Sequence, residues 1–249
     1  MADNFIWYEL CTNDLDGAKA FYGKLFGWKA VPFPGDADQN YQIFEMDGAG
    51  VGGLMPLPDG MSKPFWLGYV GVADADAAIA KAKAGGATVH REMDIPNVGK
   101  IGLLSDPQGC GYALIQGYSD RKSEAFDQAK PGHGNWHELY SPDPVAGFDY
   151  YAGQYGWTKG RTMPMGEMGD YQLFQADGVD IGGMMKVPPN VPPAWGYYFG
   201  VPDIDAAVET VNANGGTIVH GPIEVPGGAW IVQLMDPQGA FVAAVGPRT

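Results

Sequence analysis

Trp7-Tyr8-Glu9-Leu10 returns as Trp136-His137-Glu138-Leu139, 129 residues further along the chain. The same spacing, or one residue more, recurs outward from that pair. Asp14 answers to Asp143, Phe21-Tyr22 to Tyr150-Tyr151, and Gly27-Trp28 to Gly156-Trp157. Tyr41-Gln42-Ile43-Phe44 answers to Tyr171-Gln172-Leu173-Phe174, Gly52-Gly53 to Gly182-Gly183, and Asp106-Pro107-Gln108-Gly109 to Asp236-Pro237-Gln238-Gly239. One offset held through so many landmarks is a duplication, and a duplication fixes architecture before any single motif does.

Each half divides again. Residues 5–12 read as an aromatic-rich strand, and Asp14 caps a helix whose apolar Ala18, Phe21, Tyr22, Leu25 and Phe26 follow helical spacing up to Gly27. In the second copy Asp143-Pro144 adds proline at the first helical position. Short strands are expected at Tyr41–Met46 and Val51–Met55, then a new strand at Phe65–Val72 and a helix over 75–84. Strands at Thr88–Arg91, Gly99–Ser105 and Tyr112–Gln116 follow, the last two joined by the Asp106–Gly109 turn. The chain is therefore an α+β protein of four βαβββ modules, at about 5–57, 64–117, 134–187 and 193–246. Paired in sequence, they give a domain over 1–120, a linker over 121–133 within a polar stretch that holds a proline and a glycine, and a second domain over 134–249.

Bulk properties exclude several function classes. With 249 residues, 45% hydrophobic and 18% charged, the chain has ample material for packed cores. A formal charge of −14 and a pI near 4.4 repel phosphate backbones and anionic membranes, so neither nucleic acid nor membrane is an expected partner. Two cysteines, Cys11 and Cys110, make no disulfide framework, and the N-terminus carries no basic-then-apolar leader pattern. The expectation is a cytoplasmic monomer or homodimer acting on a small molecule.

Most motif-like stretches reduce to structure. Gly48-Ala49-Gly50-Val51-Gly52-Gly53 matches GxGxxG, but Met55-Pro56-Leu57-Pro58 follows where a phosphate-binding helix should start, so no dinucleotide is expected. Glycines there leave room inside a cup instead. His90 and His220 fall at strand starts after Gly-Gly turns, His133 in the linker exit. His137 neighbours Glu138 on a strand, so the two point to opposite faces and do not converge on one ion. Glu9 and Glu138 stand out, because a mid-strand glutamate among aromatics is disfavoured unless it is paired or functional.

The four modules, the Phe21-Tyr22…Phe26-Gly27-Trp28 lead-in and the two Asp-Pro-Gln-Gly turns resemble the vicinal oxygen chelate superfamily, which includes glyoxalase I, bleomycin-resistance proteins and extradiol dioxygenases. The Trp-x-Glu-Leu openings resemble tandem glyoxalase-like proteins often labelled hydroxylases. This resemblance implies paired modules curling into half-open β cups with helices outside. It also implies metal ligands at first-strand and last-strand positions that here carry Trp7, Ala113, Trp136 and Ala243. None is a metal donor, so neither a metal nor another cofactor is expected. The cups should instead be lined by Trp7, Cys11, Trp66 and Tyr69 in one half and Trp136, Tyr140, Trp195 and Tyr198 in the other, with Glu9 and Glu138 as catalytic carboxylates. The function so implied is small-molecule binding, or a metal-independent isomerase or lyase. The alternatives are a metal-dependent glyoxalase or dioxygenase with non-standard ligands, and a drug-sequestering resistance protein.

Overall fold

The four α-helices among the described residues all begin in the same way in a computed structural model of the chain, which describes residues 3–34 and 40–249. Asp14, Asp74, Asp143 and Asp203 each accept a hydrogen bond from a backbone N–H two or three residues ahead. The first helical turn cannot pair those donors internally. The caps open α1 (Leu15–Phe26), α2 (Ala75–Ala84), α3 (Pro144–Tyr155) and α4 (Ile204–Ala213). α1 and α3 end at Gly27 and Gly156, whose φ values of 77° and 74° suit a residue without Cβ.

The strands confirm the modules. Around α1 lie β1 (Asn4–Thr12), β2 (Lys29–Pro32), β3 (Gln42–Met46) and β4 (Ala49–Pro56), and around α2 lie β5 (Phe65–Gly71), β6 (Thr88–Ile95), β7 (Gly99–Ser105) and β8 (Gly111–Gly117). Around α3 lie β9 (Gly134–Ser141), β10 (Thr158–Pro164), β11 (Asp170–Ala176) and β12 (Val179–Lys186). Around α4 lie β13 (Ala194–Gly200), β14 (Thr217–Glu224), β15 (Trp230–Met235) and β16 (Phe241–Gly246). The sequence does not announce β2, a short strand without buried residues. It also understates β6, which runs on to Ile95 because it stays paired with β7 as far as Ile95↔Gly99.

The strands form two eight-stranded sheets, ordered β2-β3-β4-β1-β5-β8-β7-β6 and β10-β11-β12-β9-β13-β16-β15-β14. The sheets follow the two halves of the chain, whereas the compact units mix them. One unit comprises Met1–Ile6, Gly68–Lys122 and Trp136–Gly196, and so combines most of the second module with the third. The other comprises Trp7–Leu67, Ser123–Asn135 and Tyr197–Thr249, combining the first with the fourth. The segment expected to be a loose linker is packed within this latter unit: Ala125 and His133 are buried, and the Trp28 indole donates to the Gly132 carbonyl at 2.7 Å.

Aromatic rings fill each core. In the unit of the first and fourth modules, Tyr22 stacks on Trp28 and meets Trp66 edge-on, and Phe44 and Phe199 close the cluster. The Tyr22 hydroxyl donates to buried Asp236 at 2.8 Å and accepts from the Trp66 indole at 3.0 Å. In the other unit Tyr151 stacks on Trp157, and its hydroxyl accepts from Trp195 at 2.9 Å. Tyr22→Phe keeps the ring but leaves the Asp236 carboxylate and an indole N–H short of one partner each. Denaturant unfolding of Tyr22→Phe should show a loss of about 2 kcal/mol, the cost of a buried polar group left unpaired; a loss below about 0.5 kcal/mol would show the bond to be dispensable.

Candidate functional site

Strand alternation sorts β1 into two faces. Tyr8 and Leu10 are fully buried on one, and Trp7, Glu9 and Cys11 share the other. Glu9 is only 6% exposed, so its carboxylate has left most of its water and needs donors. One comes from Tyr41, just ahead of β3, which hydrogen-bonds to Glu9 and accepts from the Trp7 indole at 3.1 Å. Burial, reinforced by the Glu9 charge, holds the Tyr41 phenol well above its ordinary range. The hydroxyl therefore keeps its proton and serves as the donor to the carboxylate. Trp7, Tyr41 and Glu9 form a single directed chain of hydrogen bonds.

The same chain is built in the other unit. On β9, Trp136, Glu138 and Tyr140 share a face, and Glu138 is 5% exposed. The Trp136 indole donates to Tyr171 at 2.8 Å, and Tyr171, held well above its ordinary range mainly by burial, hydrogen-bonds to Glu138. Tyr140 also donates a short hydrogen bond to Glu138. Here the second partner replaces Cys11, whose thiol is raised chiefly by burial and further by the Glu9 charge, and so stays protonated.

Two glycines make room for these chains. Glu9 lies in register with Gly53 on β4, and Glu138 with Gly183 on β12. A Cβ on Gly53 would fall 2.9 Å from Glu9 Oε1 and closer still to the Tyr41 hydroxyl, while on Gly183 it would run into the Tyr171 ring. The duplicated Gly-Gly pairs thus leave space that a tyrosine fills. Tyr41 and Tyr171 join the site beyond the residues that strand patterning singles out. Their signal was present, since each recurs at the repeat offset together with its tryptophan, glutamate and Gly-Gly pair.

Other expected lining residues lie elsewhere. Trp66 and Trp195 depart from the expected cup lining: both are buried in the aromatic cores and donate to Tyr22 and Tyr151. Alternation explains this, because a residue three positions before Tyr69 or Tyr198 faces the opposite side of the strand. Tyr69 and Tyr198 are buried, in register with Ala113 and Ala243, and Tyr198 accepts from Gln233 at 2.6 Å. Tyr69 falls in the compact unit of Glu138 and Tyr198 in that of Glu9, so the structure does not gather each with the carboxylate of its own half in one unit. His137 faces away from Glu138, stacks on Phe5, and hydrogen-bonds through Nδ1 with the Ile181 carbonyl at 2.7 Å.

At the positions to which the resemblance assigns metal ligands, the side chains present are poor donors. The indole nitrogens of Trp7 and Trp136 are donors already engaged by tyrosines, and Ala113 and Ala243 offer only buried methyl groups. Among the described residues no cluster of three or more histidine, cysteine or acidic side chains is arranged to hold an ion. Among the described residues no helix is long and apolar enough to cross a membrane.

Residues 4–114 match the family described as Glyoxalase/Bleomycin resistance protein/Dioxygenase superfamily. CFP32 of Mycobacterium tuberculosis, provisionally named a glyoxylase, is 32% identical over 97% of this chain and 94% of its own. The anthracycline biosynthesis protein DnrV of Streptomyces peucetius is 27% identical, covering 96% of this chain and 91% of its own. Among solved structures, the Mn(II)-bound glyoxalase from Novosphingobium aromaticivorans shares the fold at a TM-score of 0.69 and 17% identity, over 100% of this chain and 82% of that one.

Two consequences can be measured. Gly53→Ala and Gly183→Ala should each cost about 1–3 kcal/mol, as overpacking does, and should displace the tyrosine from its carboxylate; crystal structures of both variants with unmoved tyrosines would refute the steric account. Burial depresses the His137 imidazole to about 3, and the bond to Ile181 opposes this only partly. A depressed histidine is neutral when folded and charges when unfolded. Stability is then complete above the unfolded value and falls as pH drops below about 6.5, by about 1.4 kcal/mol per unit. Between pH 7 and 5 the wild type should lose about 2 kcal/mol more than His137→Phe; equal losses would contradict the assignment.

Proposed function

The chain belongs to the glyoxalase/bleomycin resistance protein/dioxygenase superfamily, and on that footing we propose that it binds small molecules at two sites and moves a proton with Glu9 and Glu138. The observation carrying this reading is the twice-built chain Trp–Tyr–Glu, in which an indole fixes a phenol and the phenol fixes a buried carboxylate. A base held in one orientation spends little entropy on reaching its proton, and a carboxylate among aromatic rings is poorly hydrated. The chemistry that suits it is removal of a proton from carbon next to a carbonyl. The C–H electron pair moves into an enolate, and the proton passes to the carboxylate. Return of that proton to the same carbon gives exchange, return to a neighbouring carbon gives isomerisation, and departure of a leaving group from the next carbon gives elimination. The molecule would thus be an isomerase or lyase that needs no metal. A relative named for anthracycline biosynthesis supports small-molecule chemistry as the setting.

The test is deuterium incorporation. Protein dialysed against chelator is incubated in D2O with a panel of small aldehydes, ketones and hydroxyketones, and proton NMR reads the loss of C–H signal. Exchange should occur with a subset, and Glu9→Gln or Glu138→Gln should lower it at least tenfold, equivalent to about 1.4 kcal/mol, with folding retained. A sequestering protein would retain a compound without exchanging it. Exchange that vanishes on chelation, returns with a divalent ion and ignores both substitutions would replace this reading with a metal-dependent one.

A further inference from the structure

Beside the Glu138 site stands a cation, Arg161, at a position that is Val31 in the repeat partner. Met163 on β10 stands directly opposite Tyr171 on β11, so the two side chains share a face. The β10–β11 register shifts between Lys159 and Thr162, and within this irregularity Arg161 lays Nη2 against Met163 Sδ at 3.5 Å. At the end of the same hairpin, Met165 and Met168 are 40% and 54% exposed. In the Glu9 unit the equivalent positions are Val31 and Phe33, the latter edge-on to Tyr41 at 5.6 Å. That side has an aromatic lip and no charge at the position of Arg161.

The charge is conspicuous against its background. The chain has 29 acidic and 15 basic residues, yet among the described residues no carboxylate lies within ion-pair distance of Arg161. The guanidinium is exposed and rests on a thioether, which cannot neutralise it. Methionines give a soft, adaptable apolar surface, and a planar guanidinium is suited to gripping a carboxylate in two places.

We propose that the Glu138 site selects an apolar ligand bearing an acidic group, with the apolar body over Met163 and Tyr171 and the acid on Arg161, whereas the Glu9 site does not. This assignment rests on the reading of Glu138 as the ligand-facing carboxylate. It makes Arg161 a specificity residue and the two sites unequal in substrate class.

The probes are 2-naphthoate and its neutral counterpart 2-naphthalenemethanol, each titrated calorimetrically. Wild type should bind the acid about two- to fivefold more tightly than the alcohol, the scale of one exposed charge contact. Arg161→Met keeps the apolar stem and should bring that ratio to about one without weakening the alcohol, while Arg161→Lys should keep part of it. Val31→Arg should give the acid a second site. Thermal melts of the variants check that folding is intact. Equal affinity of wild type for both probes, a ratio that survives Arg161→Met, or binding of neither probe would overturn the proposal. Glu138→Gln separates it from the broader reading: if the Arg161 dependence persists while Glu138→Gln changes neither affinity, the specificity residue stands and the role of the carboxylate falls.

Discussion

A carboxylate in the middle of a β-strand, walled by aromatic rings, is unfavourable unless donors reach it. Much of this molecule's local sequence follows from supplying one. At Glu9 the donor is Tyr41; to reach across the neighbouring strand its ring needs a residue without Cβ, which is Gly53. To keep its hydroxyl aimed it needs a donor of its own, which is Trp7 two residues from the carboxylate. Four residue types on three strand segments are thereby tied to one another, and the same set recurs around Glu138.

Polar groups inside the cores follow the same rule. Asp236 is buried and accepts from Tyr22 and from the N–H groups of Gln238 and Ala240. The resulting bond joins α1 of the first module to the turn of the fourth, which share a compact unit. Desolvation raises the Asp236 carboxyl, and the hydrogen bonds oppose that rise. The counterpart turn at Asp106 likewise accepts from Gln108 and Cys110, but its Oδ2 has no hydrogen-bond partner among the described residues. Duplication has preserved the turns and let their surroundings diverge, just as it has kept the glutamates while exchanging Cys11 for Tyr140 and Val31 for Arg161.

What the sequence makes legible is what local rules control. The aspartate caps, the glycine stops and the βαβββ order could be read because each depends on residues within a few positions of one another. The face carrying Glu9 and Glu138 could be read from alternation with Leu10 and Leu139, which are fully buried. Tyr41 and Tyr171 could not be assigned in that way, because their role depends on which strand lies beside β1 and β9. The placement of Trp66 and Trp195 is obscured for a related reason. Aromatic character suggested a ligand wall, while their distance of three positions from Tyr69 and Tyr198 already placed them on the other face. The grouping of modules into compact units was equally hidden, since no local signal states which helix packs on which.

Each phenol links an indole to a carboxylate as one unit. Hydrogen exchange and chemical shift of the tryptophan indole N–H groups, followed by NMR, test it most directly. The Trp7 and Trp136 indole protons should exchange slowly, Tyr41→Phe and Glu9→Gln should both shift the Trp7 signal, and Tyr171→Phe and Glu138→Gln should both shift that of Trp136. Indoles that exchange at the rate of free tryptophan and ignore these substitutions would contradict it.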